Sequence, residues 1–174
     1  MASNRHLGRI VALQALYEYD FRVRAGDANV DVEEIIARNL GRYKETIDDL
    51  SFVESLIRVV VKASKELDAK LQPLAPEWPL EQISRIDHNI LRLSLYELFD
   101  MPESNIPPKV TINEAVELAK SFGAENSSKF INGVLGSAWR QAHPEEAAAS
   151  AKPAEVEDPV KEVAETEVAE EEAA

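Results

Sequence analysis

The chain reads as an all-α protein of about seven helices in two packed three- to four-helix halves, with a disordered C-terminal tail. Three observations lead there. Apolar residues recur at helical spacing from Leu7 to Leu135. Period-2 alternation never survives more than a few residues, so no strand candidate emerges. Beyond Pro144 the chain is mostly Ala, Glu, Val, Pro and Lys with no aromatic residue, and such a segment cannot offset its own ordering entropy.

The first helix is expected from Asn4 to Arg24, capped by Ser3 or Asn4. Leu7, Ile10, Val11, Tyr17 and Phe21 make one stripe, while Leu13 and Leu16 face elsewhere, so this helix reads as central. Gly26-Asp27 ends it. Asp31 caps a second helix through Leu40, which Gly41 stops. Thr46 and Asp49 resemble a capping box with Asp in place of Glu or Gln. One long helix then runs to Leu71, with Phe52, Val53, Leu56, Val60, Ala63 and Leu67 as its core.

Pro73, Pro76 and Pro79 break the chain, since each lacks an amide donor and restricts its neighbour. Leu80 to Ile83 form a short helical turn. Ser84 caps the next helix, Arg85 to Phe99, striped by Ile86, Ile90 and Leu93. Leu91, Leu95 and Leu98 point other ways, so this helix too is buried on several sides. Pro102, Pro107 and Pro108 stiffen the approach to a final helix pair. Its first member carries Ile112, Ala115, Val116, Ala119 and Phe122 on one stripe, and Gly123 takes the place of a left-handed C-cap. Asn126 or Ser127 caps the second, which carries Phe130, Ile131, Val134 and Leu135. Gly133 and Gly136 weaken that helix by roughly 1 kcal/mol each relative to alanine, and close backbone packing is the expected reason.

The net charge of −13 is uneven. From His143 onward stand eleven acids and two lysines, net −9, whereas the preceding part holds 21 acids and 17 bases, net −4. The organisation expected is a helical domain over 1–143 and an acidic tail over 144–174. The absence of cysteine excludes disulfides, thiolate metal sites and cysteine nucleophiles. No apolar run approaches the roughly 20 residues that span a bilayer. Arg5 and Arg9 precede an apolar stretch, but Gln14 interrupts it and Glu18 and Asp20 follow, so no export signal is read and a cytoplasmic location is expected.

Catalysis is not expected. None of His6, His88 and His143 lies three or four residues from another His, as a helical metal-ligand pair would. Phosphate-loop, dinucleotide and nucleophile-elbow motifs are absent. The acids are spaced like solvated faces, with no general acid/base pair, so no catalytic residue, metal or cofactor is assigned.

Binding residues are easier to nominate. Arg5 and Arg9 stand one turn apart with His6 beside them, opposite the Leu7, Ile10, Phe21 stripe. They form either a phosphate-neutralising cluster or an ordinary solvated face. Tyr17 is either a core tyrosine or a ring that stacks on an unpaired base. Asn126, Ser127, Lys129 and Phe130 gather an amide, two kinds of donor and a ring at one helix start, which suits RNA; simple capping also explains Asn126 and Ser127. Glu81, Asp87 and Arg92 read as groups in intrahelical or inter-helix ion pairs. Glu97 falls on an apolar stripe and needs a buried partner, a helix N-terminus or an arginine.

The run V-x-I-N-E-A-V-E-L-A-K-S-F-G from Val110, then K-F-I-N-G-V-L from Lys129, resembles the C-terminal signature of the NusB family of bacterial transcription antitermination factors. V-A-L-Q-A-L-Y (Val11 to Tyr17), D-H-N-I-L-R-L-S-L-Y-E-L (Asp87 to Leu98) and Trp78 are similar and in the same order. The resemblance spans Arg5 to Trp139. It implies binding of boxA-type RNA together with the small-subunit ribosomal protein NusE, in an RNA polymerase antitermination complex, with no small-molecule substrate and no membrane. It places RNA contacts at Arg5, His6, Arg9, Tyr17, Asn126, Lys129 and Phe130, and partner contacts at Glu81, Asp87 and Arg92. The arginine-rich segment is thin, because Leu7 and Gly8 interrupt it. A rival reading is a non-catalytic helical adaptor related to the N-terminal module of rRNA cytosine methyltransferases. The tail is expected to do no more than solvate the protein, as most acidic tails do; an alternative is that it folds back on the Arg5–Arg9 cluster and competes with RNA.

Overall fold

The computed structural model describes residues 4–101 and 106–150. Among these the elements are eight α-helices and no strand. They are α1 Asn4–Arg24, α2 Val32–Tyr43, α3 Leu50–Lys62, α4 Ser64–Leu71, α5 Arg85–Leu95, α6 Pro108–Phe122, α7 Ser127–Ala142 and α8 Pro144–Ser150. Short 3-10 turns at Gln72–Leu74 and Leu80–Gln82 carry the proline-rich chain from α4 to α5. α5 widens into a π-helical turn, Tyr96–Asp100.

The helix ends follow local chemistry. α1 closes in a Schellman arrangement: Gly26 takes φ +78, its amide reaches Val23 O (3.1 Å), and Asp27 N reaches Arg22 O (3.0 Å). Asp31 caps α2 through Glu33 N (2.9 Å), and Ser84 caps α5 through Asp87 N (3.1 Å). Other expectations are corrected. α2 runs through Gly41 to Tyr43, because a glycine followed by helix formers need not stop a helix. Asp49, not Thr46, caps α3, accepting from Phe52 N (3.0 Å). The long helix breaks at Ala63 into α3 and α4. Gly123 is extended, not left-handed (φ −88, ψ −175). Glycine is needed there for space, since a Cβ would lie 2.5 Å from Ser127 Cβ and 2.7 Å from Ala119 O. Gly133 and Gly136 are not sites of close backbone packing: a Cβ meets nothing within 4 Å at the first and the tip of Arg140 at the second.

α1 packs on α2, α3 and α5, while α6 and α7 pack on each other and both on α5. The first four helices and the last three before Ala142 thus make two halves joined along α1 and α5. One core runs through both, including Leu13, Leu56, Ile57, Ile90, Leu93, Leu118 and Ile131. The buried face of α1 is Gly8, Arg9, Val11, Ala12, Leu13, Ala15 and Leu16, rotated from the expected stripe. Small residues explain the rotation: at Gly8 even a Cβ would come within 3.0 Å of Val53, so α3 seats closely there.

A separate unit begins at His143. Its first residues are helical, contrary to the disorder expected from Glu145: α8 starts on Pro144, with Glu145 and Glu146 in its first turn and alanines after them. Residues 151–174 of the expected tail lie outside the described residues.

Candidate nucleic-acid interface

The two arginines at the start of α1 separate. Arg9 is 3% exposed and turned inward. Its Nε donates to Glu97 Oε1 (2.9 Å) and its Nη2 to Oε2 (2.7 Å), a bidentate pair from α1 to the π-helical turn. This answers the search for a Glu97 partner and corrects the placement of Arg9 beside Arg5 on a solvent face. Arg5 is exposed, with its Cζ 4.9 Å from the centre of the Phe52 ring. His6 is half-buried, its Nδ1 2.6 Å from Glu114 Oε2. Asn4, Asp48 and Asp49 share the cleft around Arg5 with Glu114. The basic rim is therefore a single outward guanidinium among acids.

About three turns along α1 from Arg5 the surface is aromatic. Tyr17 is 36% and Phe21 48% exposed, and their rings stack at 6.4 Å with an interplanar angle of 23°. Arg85, at the start of α5, sets its Cζ 5.0 Å from the Phe21 ring centre. The exposure of Phe21 corrects its assignment to the buried stripe. The result is a preformed ladder of two rings and a guanidinium, the kind of surface on which unpaired bases stack.

Beyond Arg85, a groove of about 320 Å³ is lined by Trp78, Gln82, Ile83, Ser84, Asp87, Ala124, Glu125, Asn126, Ser127 and Phe130. Trp78 is 52% exposed. Asn126 and Lys129 are exposed and Phe130 half-buried. Lys129 lines the adjoining cleft, which Trp78 and Phe130 also line. Asn126, Phe130 and Asp87, assigned to two different partners in the sequence, thus share one depression. The Ser127 hydroxyl fixes its floor: it accepts from Ala124 N (2.8 Å) and donates to Asp87 Oδ2 (2.9 Å), tying the α6–α7 turn to the first turn of α5.

Arg92 lies inside and not on a docking surface. Its Nε and Nη2 donate to Asp68 Oδ1 and Oδ2 (2.7 and 2.6 Å), and its Nη1 reaches Asp20 Oδ1 (3.5 Å). His88 Nε2 stands 2.7 Å from Asp68 Oδ1. Burial works against the Asp68 charge, but hydrogen bonds from Arg92 and His88 outweigh it and hold the carboxyl well below the usual range. Asp87 is also buried; of the three expected partner contacts only Glu81 is fully exposed. Phe21, Trp78 and Arg85 were not nominated from sequence. Phe21 reads in the sequence as one more apolar residue, Trp78 as an apolar residue among prolines, and Arg85 as an ordinary charge in the first turn of a helix.

Among the described residues no group of His, Cys, Asp or Glu is arranged to hold a metal, and no helix is long and apolar enough to cross a membrane. The model of the NusB family matches residues 6–140. The chain belongs to the NusB family. The transcription antitermination protein NusB of Dehalococcoides mccartyi (strain CBDB1) is 43% identical over 137 residues, covering 79% of this chain and 90% of that protein. NusB of Chloroflexus aggregans is 38% identical over 136 residues, covering 78% and 87%. Among solved structures, T. maritima NusB superimposes with a TM-score of 0.71 at 33% identity, covering 86% of this chain and 99% of that one. A structure of antitermination factors NusB and NusE in complex with dsRNA shares the fold, with a TM-score of 0.68 at 22% identity over 81% of this chain and 99% of that one.

Proposed function

We propose that this NusB-family chain is a non-catalytic transcription antitermination factor acting in the cytoplasm. It binds boxA-type RNA of nascent ribosomal transcripts together with the ribosomal protein NusE, within the antitermination complex of RNA polymerase. The single observation that carries the RNA reading is the outward ladder of Tyr17, Phe21 and Arg85 beside the groove of Asn126 and Phe130. Soluble folds normally bury such rings, and here they are stacked and offered to solvent.

RNA-contacting residues are Arg5, Tyr17, Asn126, Lys129 and Phe130, joined by Phe21 and Arg85. His6 contributes less, because Glu114 already holds it. Arg9 acts through the fold. Glu81 faces the protein partner, whereas Asp87 and Arg92 are placed for internal roles. The binding domain is 1–143, and 144–174 is an acidic appendage. With so few outward cations the RNA affinity of the chain alone is modest, and the ribosomal protein adds contacts that make the pair bind more tightly.

A mobility-shift titration on boxA-type RNA, with and without NusE and at two salt concentrations, tests this. The expected result is a weak shift with the chain alone and a strong one with both proteins. Absence of a shift in every lane sinks the RNA reading and leaves the helical adaptor.

A further inference from the structure

We infer that Trp78 is a stacking platform for one unpaired base of the bound RNA, seated in the groove between the Trp78–Asp87 segment and the α6–α7 turn. This rests on the RNA-binding reading above and adds a residue and a subsite to it. Trp78 is 52% exposed. Its indole has no hydrogen bond or ring contact among the described residues.

The loop that carries the indole is stiff. Pro76 and Pro79 flank Trp78 and Pro73 stands just before them, each fixing its own φ. The part-buried Gln72 side chain spans the loop. Its Nε2 donates to Ala75 O (3.3 Å) and Trp78 O (3.2 Å), and its Oε1 accepts from Leu80 N (3.3 Å). Trp78 N donates to Ala75 O (3.0 Å). The backbone of Trp78 is thus held at both its amide and its carbonyl, while the ring is left in solvent. A ring ordered in advance loses little entropy when a ligand arrives.

The neighbours indicate which ligand. Trp78 and Phe130 line both the groove of about 320 Å³ and the adjoining cleft. Glu125 lines the groove and Lys129 lines the cleft. Phosphate is therefore repelled from the first and drawn to the second, the polarity that a nucleotide needs when its base enters the groove. The side-chain amides of Gln82 and Asn126 line the groove and are exposed, and they make no hydrogen bond among the described residues. Each offers donors and an acceptor, which suit the edge of a base. Asp87 is turned to Ser127 and takes no part. An apolar side chain of a protein would cover the indole but leave the two amides and the ammonium unused.

The test is fluorescence anisotropy of the full chain on a single-stranded boxA-type RNA, and on the same RNA with one nucleotide at a time made abasic. Abasic sites at stacked positions are expected to weaken the unaltered chain by about tenfold each. Trp78→Ala is expected to bind the intact RNA about tenfold more weakly and to abolish the abasic penalty at one position only, because ring and base act as a pair. Trp78→Phe, which keeps a ring, is expected to stay within about threefold of the unaltered chain. A second measurement leaves Trp78 in place. The chain has two tryptophans, so Trp139→Phe makes Trp78 the sole emitter, and bound RNA is expected to quench it. Equal RNA affinity of Trp78→Ala and the unaltered chain overturns the inference and leaves RNA binding intact. So does an abasic penalty that Trp78→Ala keeps at every position, an unquenched Trp78 in the RNA-bound chain, or a Trp78→Ala defect confined to capture of the ribosomal protein. If the unaltered chain binds no RNA, the inference and the RNA reading fall together.

Discussion

Arg5 and Arg9 stand one turn apart on the same helix and do opposite work. Arg9 is buried and chelated by Glu97, whereas Arg5 lies outside over the Phe52 ring. The same contrast divides the molecule. Arg9–Glu97 and Asp68–Arg92–His88 form an internal belt of charge that joins distant segments. Arg5, Tyr17, Phe21, Arg85 and the groove form an outward surface with few internal obligations. Internal charges should therefore govern stability, and outward groups should govern binding.

The sharpest way to break this division is Glu97→Ala. It strands a buried guanidinium and should lower unfolding free energy by ~3–5 kcal/mol, read by urea denaturation. Replacing Arg9 and Glu97 together with methionine and leucine should recover most of that loss. A small effect from the single change would show that Arg9 escapes to solvent and belongs with Arg5 after all.

On the outward side, Tyr17→Ala should weaken RNA binding by ~1–3 kcal/mol, as for one lost base stack, with an unchanged thermal midpoint. A fall in the midpoint instead would return Tyr17 to the core.

Acid sensitivity probes the belt again. The folded Asp68 carboxyl holds its proton less tightly than the unfolded one. Its contribution is thus complete well above the ordinary value of 3.8 and drains as the pH falls below it. Asp68→Asn should cost ~1–3 kcal/mol at neutral pH, the loss of a charge-assisted hydrogen bond, and should flatten the decline of stability between neutral and acid conditions. A variant with the slope of the unaltered chain would exclude Asp68 as its source.

The smallest expected effect is Gly41→Ala. The position is helical and has nothing within 4 Å of an added Cβ, so a gain of ~0.5–1 kcal/mol is expected. At Gly123 the same change should destabilise, because Ser127 occupies the space.

Much of the fold was readable in the sequence, because caps and stripes act locally. Asp31, Ser84 and Gly26 announce their helix boundaries through their own side chains or lack of one. The errors fall where a distant segment decides. Ala63 breaks a continuous apolar pattern that no local residue interrupts. Arg9 looks like surface until Glu97, 88 residues away, is brought beside it. A helix as apolar all round as α1 does not declare which side will be buried, so Phe21 was placed inside. Arg5, Asn126 and Lys129 could be nominated because polar residues near a helix start remain accessible when the helix packs, and Tyr17 because it sits at the edge of an apolar stripe. The Asp87 groove needed three segments at once, and no spacing along the chain reveals it.

The π-helical turn from Tyr96 to Asp100 makes the chain sensitive to length at one place. Within it Glu97 points in to Arg9, and two residues on Phe99 lies against Trp139 at 6.2 Å. Removing one residue there would rotate the downstream chain by ~100°, and the anchor and the stack could not both be kept. A relative that lost a residue at that point would need a different way to fasten α7 to α1.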